Sequence, residues 1–302
     1  MLNLEPLKAY CEQNSCAYLE NEPMKDHTTF RIGGNADIFI KPASERTLCG
    51  LIKICNDNEI PVFYIGGGSN LLVSDFGIRG AVIQTGGFSD ITLLDGCEIE
   101  CGAGVKLAQL CSFAFEHSLA GIEFAWGIPG TVGGAVYMNA GAYGGEMKDV
   151  IVSACHINAN GESEEILNED MKLGYRTSVY AKKPCVITSA KLKLHPGSQQ
   201  EIREKMDELI GRRKEKQPIE LPSAGSTFKR PAGSFAGTLI EQCGLKGIKV
   251  GGAQVSEKHA GFIVNAGGEA TCSDVLRLIE QIQETVFKMT GILLEPEVKI
   301  VK

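Results

Sequence analysis

The chain has 302 residues, 43% hydrophobic and 22% charged, with a formal net charge of −7. That composition excludes a disordered or fibrous chain, and the length allows two or three domains with a full apolar core. The acidic balance speaks against a nucleic-acid surface but not against a locally basic pocket for an anionic small molecule.

Eleven cysteines are scattered along the chain without a Cys-x-x-Cys pair. They read as reduced, small apolar residues rather than a metal site. The N-terminal Met-Leu-Asn-Leu-Glu-Pro lacks the basic and apolar regions of a signal peptide. No apolar run reaches the ~18 residues of a membrane span. A soluble, cytoplasmic monomer with no nucleic-acid or membrane partner is expected.

In chain order, a helix is predicted over 4–13 and a strand over 38–40. Ser44 reads as the N-cap of a helix with Leu48, Leu51, Ile52 and Cys55 on one face. A strand over 61–65 ends in Gly66-Gly67-Gly68-Ser69-Asn70, and short strands follow at 71–73 and 82–84. Residues 91–94 and 98–101 form a predicted hairpin across Asp95-Gly96. A helix over 106–117 precedes a glycine-rich stretch, 121–145. Strands over 150–157 and 186–194 come next. Beyond Pro196-Gly197 we expect helices over 200–216, near Leu239 and over 273–290, strands near 254–255 and 262–265, and a last strand over 297–301. Hairpins are too frequent for one parallel sheet, so the class is α+β. The expected divisions are 1–88, 89–197 and 198–302.

Two segments carry most of the functional signal. In residues 66–70, three glycines after a strand let the backbone approach a ligand, and successive N–H groups can wrap a phosphate. Ser69 and Asn70 add side-chain donors. The second segment, Gly127-Ile128-Pro129-Gly130-Thr131-Val132-Gly133-Gly134, has many backbone donors and few charges, which suits a dinucleotide lying along the main chain. Neither is a P-loop or a Gly-x-Gly-x-x-Gly motif. One such segment alone reads better as turns and bulges; two together favour ligand binding.

With Thr29-Phe30-Arg31-Ile32-Gly33-Gly34, these segments resemble the FAD-binding halves of the vanillyl-alcohol-oxidase (PCMH) type of fold. Within it, the chain resembles the UDP-N-acetylenolpyruvoylglucosamine reductase family, in its shorter branch. The resemblance implies an FAD-binding fold of two α+β subdomains plus a C-terminal α+β substrate-binding domain. It implies NADPH as hydride source and UDP-N-acetylglucosamine enolpyruvate as substrate. It assigns cofactor contacts to Gly66, Gly67, Gly68, Ser69, Asn70, Gly127, Pro129, Gly130, Thr131, Gly133 and Gly134. Residues 66–70 contain no His, so the FAD is expected to be non-covalent.

Three further motifs match that family. Gly174-Tyr175-Arg176-Thr177-Ser178 supplies Arg176, able to pair with a carboxylate. Ala224-Gly225-Ser226-Thr227-Phe228-Lys229 supplies Ser226 as proton donor. Leu294-Glu295-Pro296-Glu297-Val298 supplies Glu297, preferred over Glu295 because it is expected to start the last strand. Without the resemblance, Arg176 reads equally well as a surface ion-pair residue and Ser226 better as a turn serine. Lys216 resembles a diphosphate contact, though it also fits a solvated charge run. Tyr143, Asn139 and Lys229 are weaker substrate candidates, and no metal is implied. Arg230 stands where the family often has Asn. The short stretch between Arg176 and Ser226 leaves no room for a long substrate-covering loop. On the residues alone, an alcohol or sugar oxidase on the same fold, or a non-catalytic nucleotide-sugar sensor, stays open.

Overall fold

The structure is a computed structural model that describes residues 2–302. Helix α1 (Glu5–Gln13) accepts Pro6 in its first turn, where the missing N–H has no partner to lose. It leads to strands β1 (Ala17–Pro23) and β2 (Asn35–Lys41). Helix α2 (Glu45–Asp57) starts where Ser44 Oγ accepts from Thr47 N at 3.2 Å. It buries Leu48, Leu51, Ile52 and Cys55, the four positions its periodicity predicts. Strands β3 (Val62–Ile65), β4 (Leu71–Val73) and β5 (Ile78–Gln84) follow, with β3 parallel to β5 in a sheet of order β1-β2-β5-β3.

Strands β6 (Ile91–Leu93) and β7 (Glu98–Gly102) make the expected antiparallel hairpin, with Gly96 at φ 65° in the turn. Then come α3 (Leu107–Glu116), β8 (Leu119–Ala120), α4 (Val132–Met138), β9 (Gly141–Ala142) and β10 (Gly145–Glu146). Strands β11 (Ile151–Ile157), β12 (Ser163–Leu167) and β13 (Val186–Lys193) complete an antiparallel sheet of order β12-β11-β13-β7-β6. After β14 (His195–Pro196) the chain runs through α5 (Gln199–Lys216), α6 (Ala236–Gln242), β15 (Lys249–Val250), β16 (Ala253–Val255), β17 (Ile263–Asn265), α7 (Cys272–Thr290) and β18 (Lys299–Val301).

Several elements depart from the sequence expectation, the two-residue strands β8, β9, β10, β14 and β15 among them, and four departures have a physical reason. β1 and β12 are edge strands whose residues are mostly exposed, and they lack the alternation that betrays a half-buried strand. α4 forms despite Gly133 and Gly134 because small residues let it pack closely: a methyl at Gly133 would sit 2.8 Å from Ala103 Cβ. β18 begins at Lys299 rather than Glu297. Pro296 has no N–H for a ladder, and its segment instead bridges Phe228, while β18 pairs in parallel with β4.

The chain gathers into two compact units. The first comprises residues through Glu20, Ile38–Gly67 and Gly80–Arg212; the second comprises Asn21–Asp37, Gly68–Arg79 and Arg213–Lys302. The first has two apolar clusters. One joins α1 and α2 through Leu7, Leu48 and Leu51 to Ile38 and Ile83. The other joins α3 and α4 through Leu110 and Val136 to Ile99, Ala154 and Leu192 of the antiparallel sheet. The second unit is built on α7, whose Val275, Leu278 and Ile282 pack with Phe30, Leu72, Val255 and Ile263. Among the described residues no helix is long and apolar enough to cross a membrane.

His156 on β11 is 3% exposed, lies edge-on to the buried Tyr180 ring at 5.4 Å, and reaches Glu164 at 3.4 Å. Burial lowers its pKa, against the opposing pull of Glu164. The unfolded chain therefore takes up a proton that the folded chain resists. This contribution to stability is present above the ordinary imidazole value of about 6.5 and is lost as pH falls through it. Thermal midpoints should drop between neutral pH and about pH 5.5, and less steeply in His156→Leu. Parallel slopes in the two proteins would exclude His156 as a contributor.

Candidate active site

In the first unit the two glycine segments meet. Gly66, directly after β3, is so near Thr131 that an added methyl would come within 2.5 Å of Thr131 Oγ1. A methyl at Gly67 would come within 3.1 Å of Gly130 Cα, and one at Gly134 within 3.7 Å of Thr131 Oγ1. Gly127 (φ 85°) and Gly130 (φ 135°) hold left-handed turns on either side of the exposed Pro129. Leu107 N donates to Gly130 O at 3.1 Å, which ties this loop to the start of α3.

Thr131 stands at the N-cap of α4 but its hydroxyl makes no cap bond. Oγ1 is buried and has no hydrogen-bond partner among the described residues. A buried hydroxyl without a partner costs roughly 1–3 kcal/mol unless a ligand atom completes it. Gly66, Gly67, Gly130, Thr131 and Gly134 thus make a side-chain-poor cradle with one orphaned polar atom, which suits the polar backbone of a dinucleotide such as FAD.

The same unit builds the Arg176 turn. Gly174 N donates to Thr177 O at 3.0 Å and Thr177 N to Gly174 O at 3.2 Å, leaving Tyr175 and Arg176 at the tip. Arg176 has φ 54°, a left-handed conformation that strains a non-glycine residue. Its guanidinium lies 5.2 Å from the Tyr175 ring centre, and Nη2 donates to Gly141 O at 3.3 Å. Asn139, wholly buried, braces this turn. Its Nδ2 donates to Gly174 O at 3.1 Å and to Glu146 Oε2 at 2.6 Å, while Oδ1 accepts from Lys148 N at 2.9 Å. Tyr143, also at positive φ (54°), is exposed.

The second unit holds the rest. Gly68 (φ 63°) is buried against the His27–Thr28 backbone, and Thr29 N donates to its carbonyl at 3.2 Å. The Thr29 hydroxyl donates to Ser223 O at 2.7 Å, so the Thr29-Phe30-Arg31 motif is fastened to the C-terminal part of the chain. Asn70 Nδ2 donates to Glu297 O at 3.2 Å, and Lys299 N donates to Asn70 O at 2.9 Å.

The Ser226 and Glu297 segments lie side by side. Glu297 N donates to Thr227 O and Lys229 N to Glu295 O, both at 2.8 Å. Gly225 (φ 75°) turns the chain into Ser226, which is half-buried, as is Glu297. Glu295 is exposed and paired with the Lys229 ammonium. Lys216 is exposed at the C-terminal end of α5.

The second unit thus brings Asn70, Ser226 and Glu297 together, while Arg176 belongs to the first unit with Asn139. His259 escaped the sequence reading. Its Nδ1 accepts from Gly261 N at 3.1 Å, and Gly261 O accepts from Thr227 N at 2.8 Å, so it braces the corner behind Ser226. Burial lowers its pKa, which keeps it a neutral acceptor. The only sequence signal was a His two residues before a glycine, too common to read. Among the described residues, no group of three or more His, Cys, Asp or Glu could hold a metal ion.

Residues 36–166 match the model of an FAD binding domain, and residues 217–301 match that of the UDP-N-acetylenolpyruvoylglucosamine reductase C-terminal domain. The UDP-N-acetylenolpyruvoylglucosamine reductase of Agathobacter rectalis is 52% identical over 295 residues, covering 94% of this chain and 93% of that protein. The chain belongs to the UDP-N-acetylenolpyruvoylglucosamine reductase family. The reductase of that name from Caldanaerobacter subterraneus subsp. tengcongensis is 50% identical and spans 93% of this chain and 92% of its own length. Among solved structures, UDP-N-acetylenolpyruvylglucosamine reductase from Thermus caldophilus superposes with a TM-score of 0.81 at 35% identity. It covers 95% of this chain and 99% of that one. The expected fold, an α+β FAD-binding fold followed by the family's C-terminal domain, is therefore the one present.

Proposed function

We propose that this chain is an FAD-dependent oxidoreductase that reduces UDP-N-acetylglucosamine enolpyruvate to UDP-N-acetylmuramate, with NADPH as hydride donor, in peptidoglycan precursor synthesis. The observation that carries the reading is the pairing of the Ser226 segment with the Glu297 segment beside Asn70, the last residue of the first glycine segment. It occurs in a chain about half identical to reductases of that name.

Bound FAD would supply the hydride chemistry, accepting from the nicotinamide and giving to the enol ether. The chain's residues supply position and charge. Gly66, Gly67, Gly68, Ser69, Asn70, Gly127, Pro129, Gly130, Thr131, Gly133 and Gly134 hold the cofactor, with Thr131 Oγ1 gaining its missing partner there. With no His in residues 66–70, the cofactor is held non-covalently. The proposed partition is residues 1–88 and 89–197 for FAD and 198–302 for substrate.

As hydride adds to one carbon of the enol ether, negative charge builds on the neighbouring carbon and its carboxylate. Arg176, permanently charged and pre-set by its turn, pairs with that carboxylate. Ser226 Oγ–H gives the proton to the carbon, a task open to a weak acid because an enolate-like centre is strongly basic. Glu297, half-buried, orients the intermediate. The exposure of Glu295 and its pairing with Lys229 favour Glu297 over it. Lys216, Tyr143 and Lys229 line the substrate side, and Asn139 acts through the Arg176 turn it braces. A cytoplasmic monomer suffices for this chemistry.

The test is an anaerobic absorbance titration of the FAD-loaded protein. Flavin bands should bleach with NADPH and return on adding the enolpyruvyl nucleotide sugar. Bleaching without return would overturn the substrate, and absence of flavin bands after supplying FAD would overturn the enzyme. Acid precipitation should release the flavin into the supernatant; flavin remaining in the pellet would contradict non-covalent binding.

A further inference from the structure

The C-terminal end of α1 carries a feature that the reductase chemistry does not use. Ser15 follows the helix cap in the left-handed region, at φ 51°. Cys16 N donates to Cys11 O at 2.8 Å and Ser15 N to Glu12 O at 3.3 Å. These paired bonds define a Schellman ending, in which the residue three before the cap and the second residue after it bring their side chains into apolar contact. The same ending closes α2, where Ile60 N meets Cys55 O at 2.8 Å, and α6, where Leu245 N meets Ile240 O at 3.2 Å. There the corresponding pairs are Cys55 with Ile60 and Ile240 with Leu245, all buried, each pair within one apolar cluster. At α1 both members are cysteines.

The backbone bond sets how far apart they can be. Adding the covalent reach from N to Cα and from O to Cα to a 2.8 Å bond puts the two Cα atoms at most about 6.7 Å apart. A disulfide accepts roughly 4.4–6.8 Å. Cys11 lies within the apolar cluster of α1 and α2, and Cys16 packs against the same cluster. Cys11 is wholly buried in the α1–α2 cluster, whereas Cys16 is partly exposed.

We propose that Cys11 and Cys16 form a reversible oxidation site, closed by hydrogen peroxide into a disulfide that locks the end of α1. Cys16 is the entry point, being the partly exposed residue of the two. The neighbouring Cys11 holds the Cys16 thiol below its ordinary range against the effect of burial, while Cys16 and burial push the Cys11 thiol up. The Cys16 thiol gives up its proton and the thiolate attacks a peroxide oxygen; the O–O bond breaks, the departing hydroxide takes up that proton and leaves as water, and a sulfenic acid forms on Cys16. The Cys11 sulfur then attacks the Cys16 sulfur. The S–S bond forms, the S–O bond breaks, and the Cys11 proton leaves with the departing hydroxide as a second water. Two thiols are oxidised, one peroxide is reduced, and a dithiol reductant reverses the step.

The FAD-loaded protein would be treated with hydrogen peroxide, denatured, alkylated with iodoacetamide and digested with trypsin. Residues 9–25 form one peptide whose only cysteines are Cys11 and Cys16. Its doubly alkylated form should fall by roughly an order of magnitude and be restored by dithiothreitol before alkylation. Cys16→Ser should abolish the protection of Cys11, and Cys16→Ala should do the same if serine disturbs the fold. Full double alkylation after peroxide treatment would overturn the proposal, as would Cys16 advancing to sulfinic acid while Cys11 stays alkylatable.

Discussion

Ser226→Ala should leave flavin bleaching by NADPH nearly unchanged and slow reoxidation by the enolpyruvyl sugar by about 10²–10⁴-fold, the usual worth of a positioned proton donor. The two half-reactions separate because only the second needs a proton at carbon. The substitution is also structurally mild. Ser226 owes its place to Gly225 and to the Thr227 backbone bonds with Glu297 and Gly261, none of which involves Oγ of residue 226. Anaerobic stopped-flow absorbance reads each step in turn. Equal slowing of both would mean that residue 226 shapes the pocket rather than donating the proton. A Ser226→Cys protein separates these further, since a thiol can still donate and should recover part of the second step. Recovery by alanine but not by cysteine would count against proton donation.

How much of this was legible follows from what each element needs. The α2 helix could be read because its cap, Ser44, and its buried stripe are local facts. Thr271 and Asp274 start α7 in the same way, through reciprocal bonds across three residues. The glycine segments were legible because few other residues tolerate the turns at Gly127 and Gly130. What local pattern could not show was partnership at long range. Thr29 bonds Ser223 across 194 residues, and Asp75 accepts from the first N–H groups of α7, Cys272 N at 2.7 Å and Ser273 N at 3.0 Å. Both contacts fasten early segments to the C-terminal unit, and neither follows from periodicity. The role of Asn139 was hidden for a similar reason. Its amide looks like a ligand donor in sequence, whereas its three bonds are spent on Gly174, Glu146 and Lys148.

Gly68→Ala should strip the protein of flavin. At φ 63° an alanine is already disfavoured by roughly 1–2 kcal/mol. Its methyl would also overlap the carbonyl oxygen of His27 and press on Thr28 Cα, all backbone atoms with no rotamer to swing away. Relief requires moving either residues 27–28 or the peptide at Gly68, which lies within the segment proposed to wrap the cofactor. We expect FAD affinity to fall by at least about tenfold, a loss near 1.4 kcal/mol, together with a lower thermal midpoint. Flavin fluorescence quenching and calorimetry would measure the two. Gly211→Ala is the matched control. Gly211 sits exposed inside α5 with no atom near a new methyl, so the same change should stabilise by up to about 1 kcal/mol. Flavin binding should then be untouched. If Gly68→Ala retained full flavin affinity while Gly211→Ala behaved as expected, residue 68 would be a turn glycine and not part of the cofactor cradle.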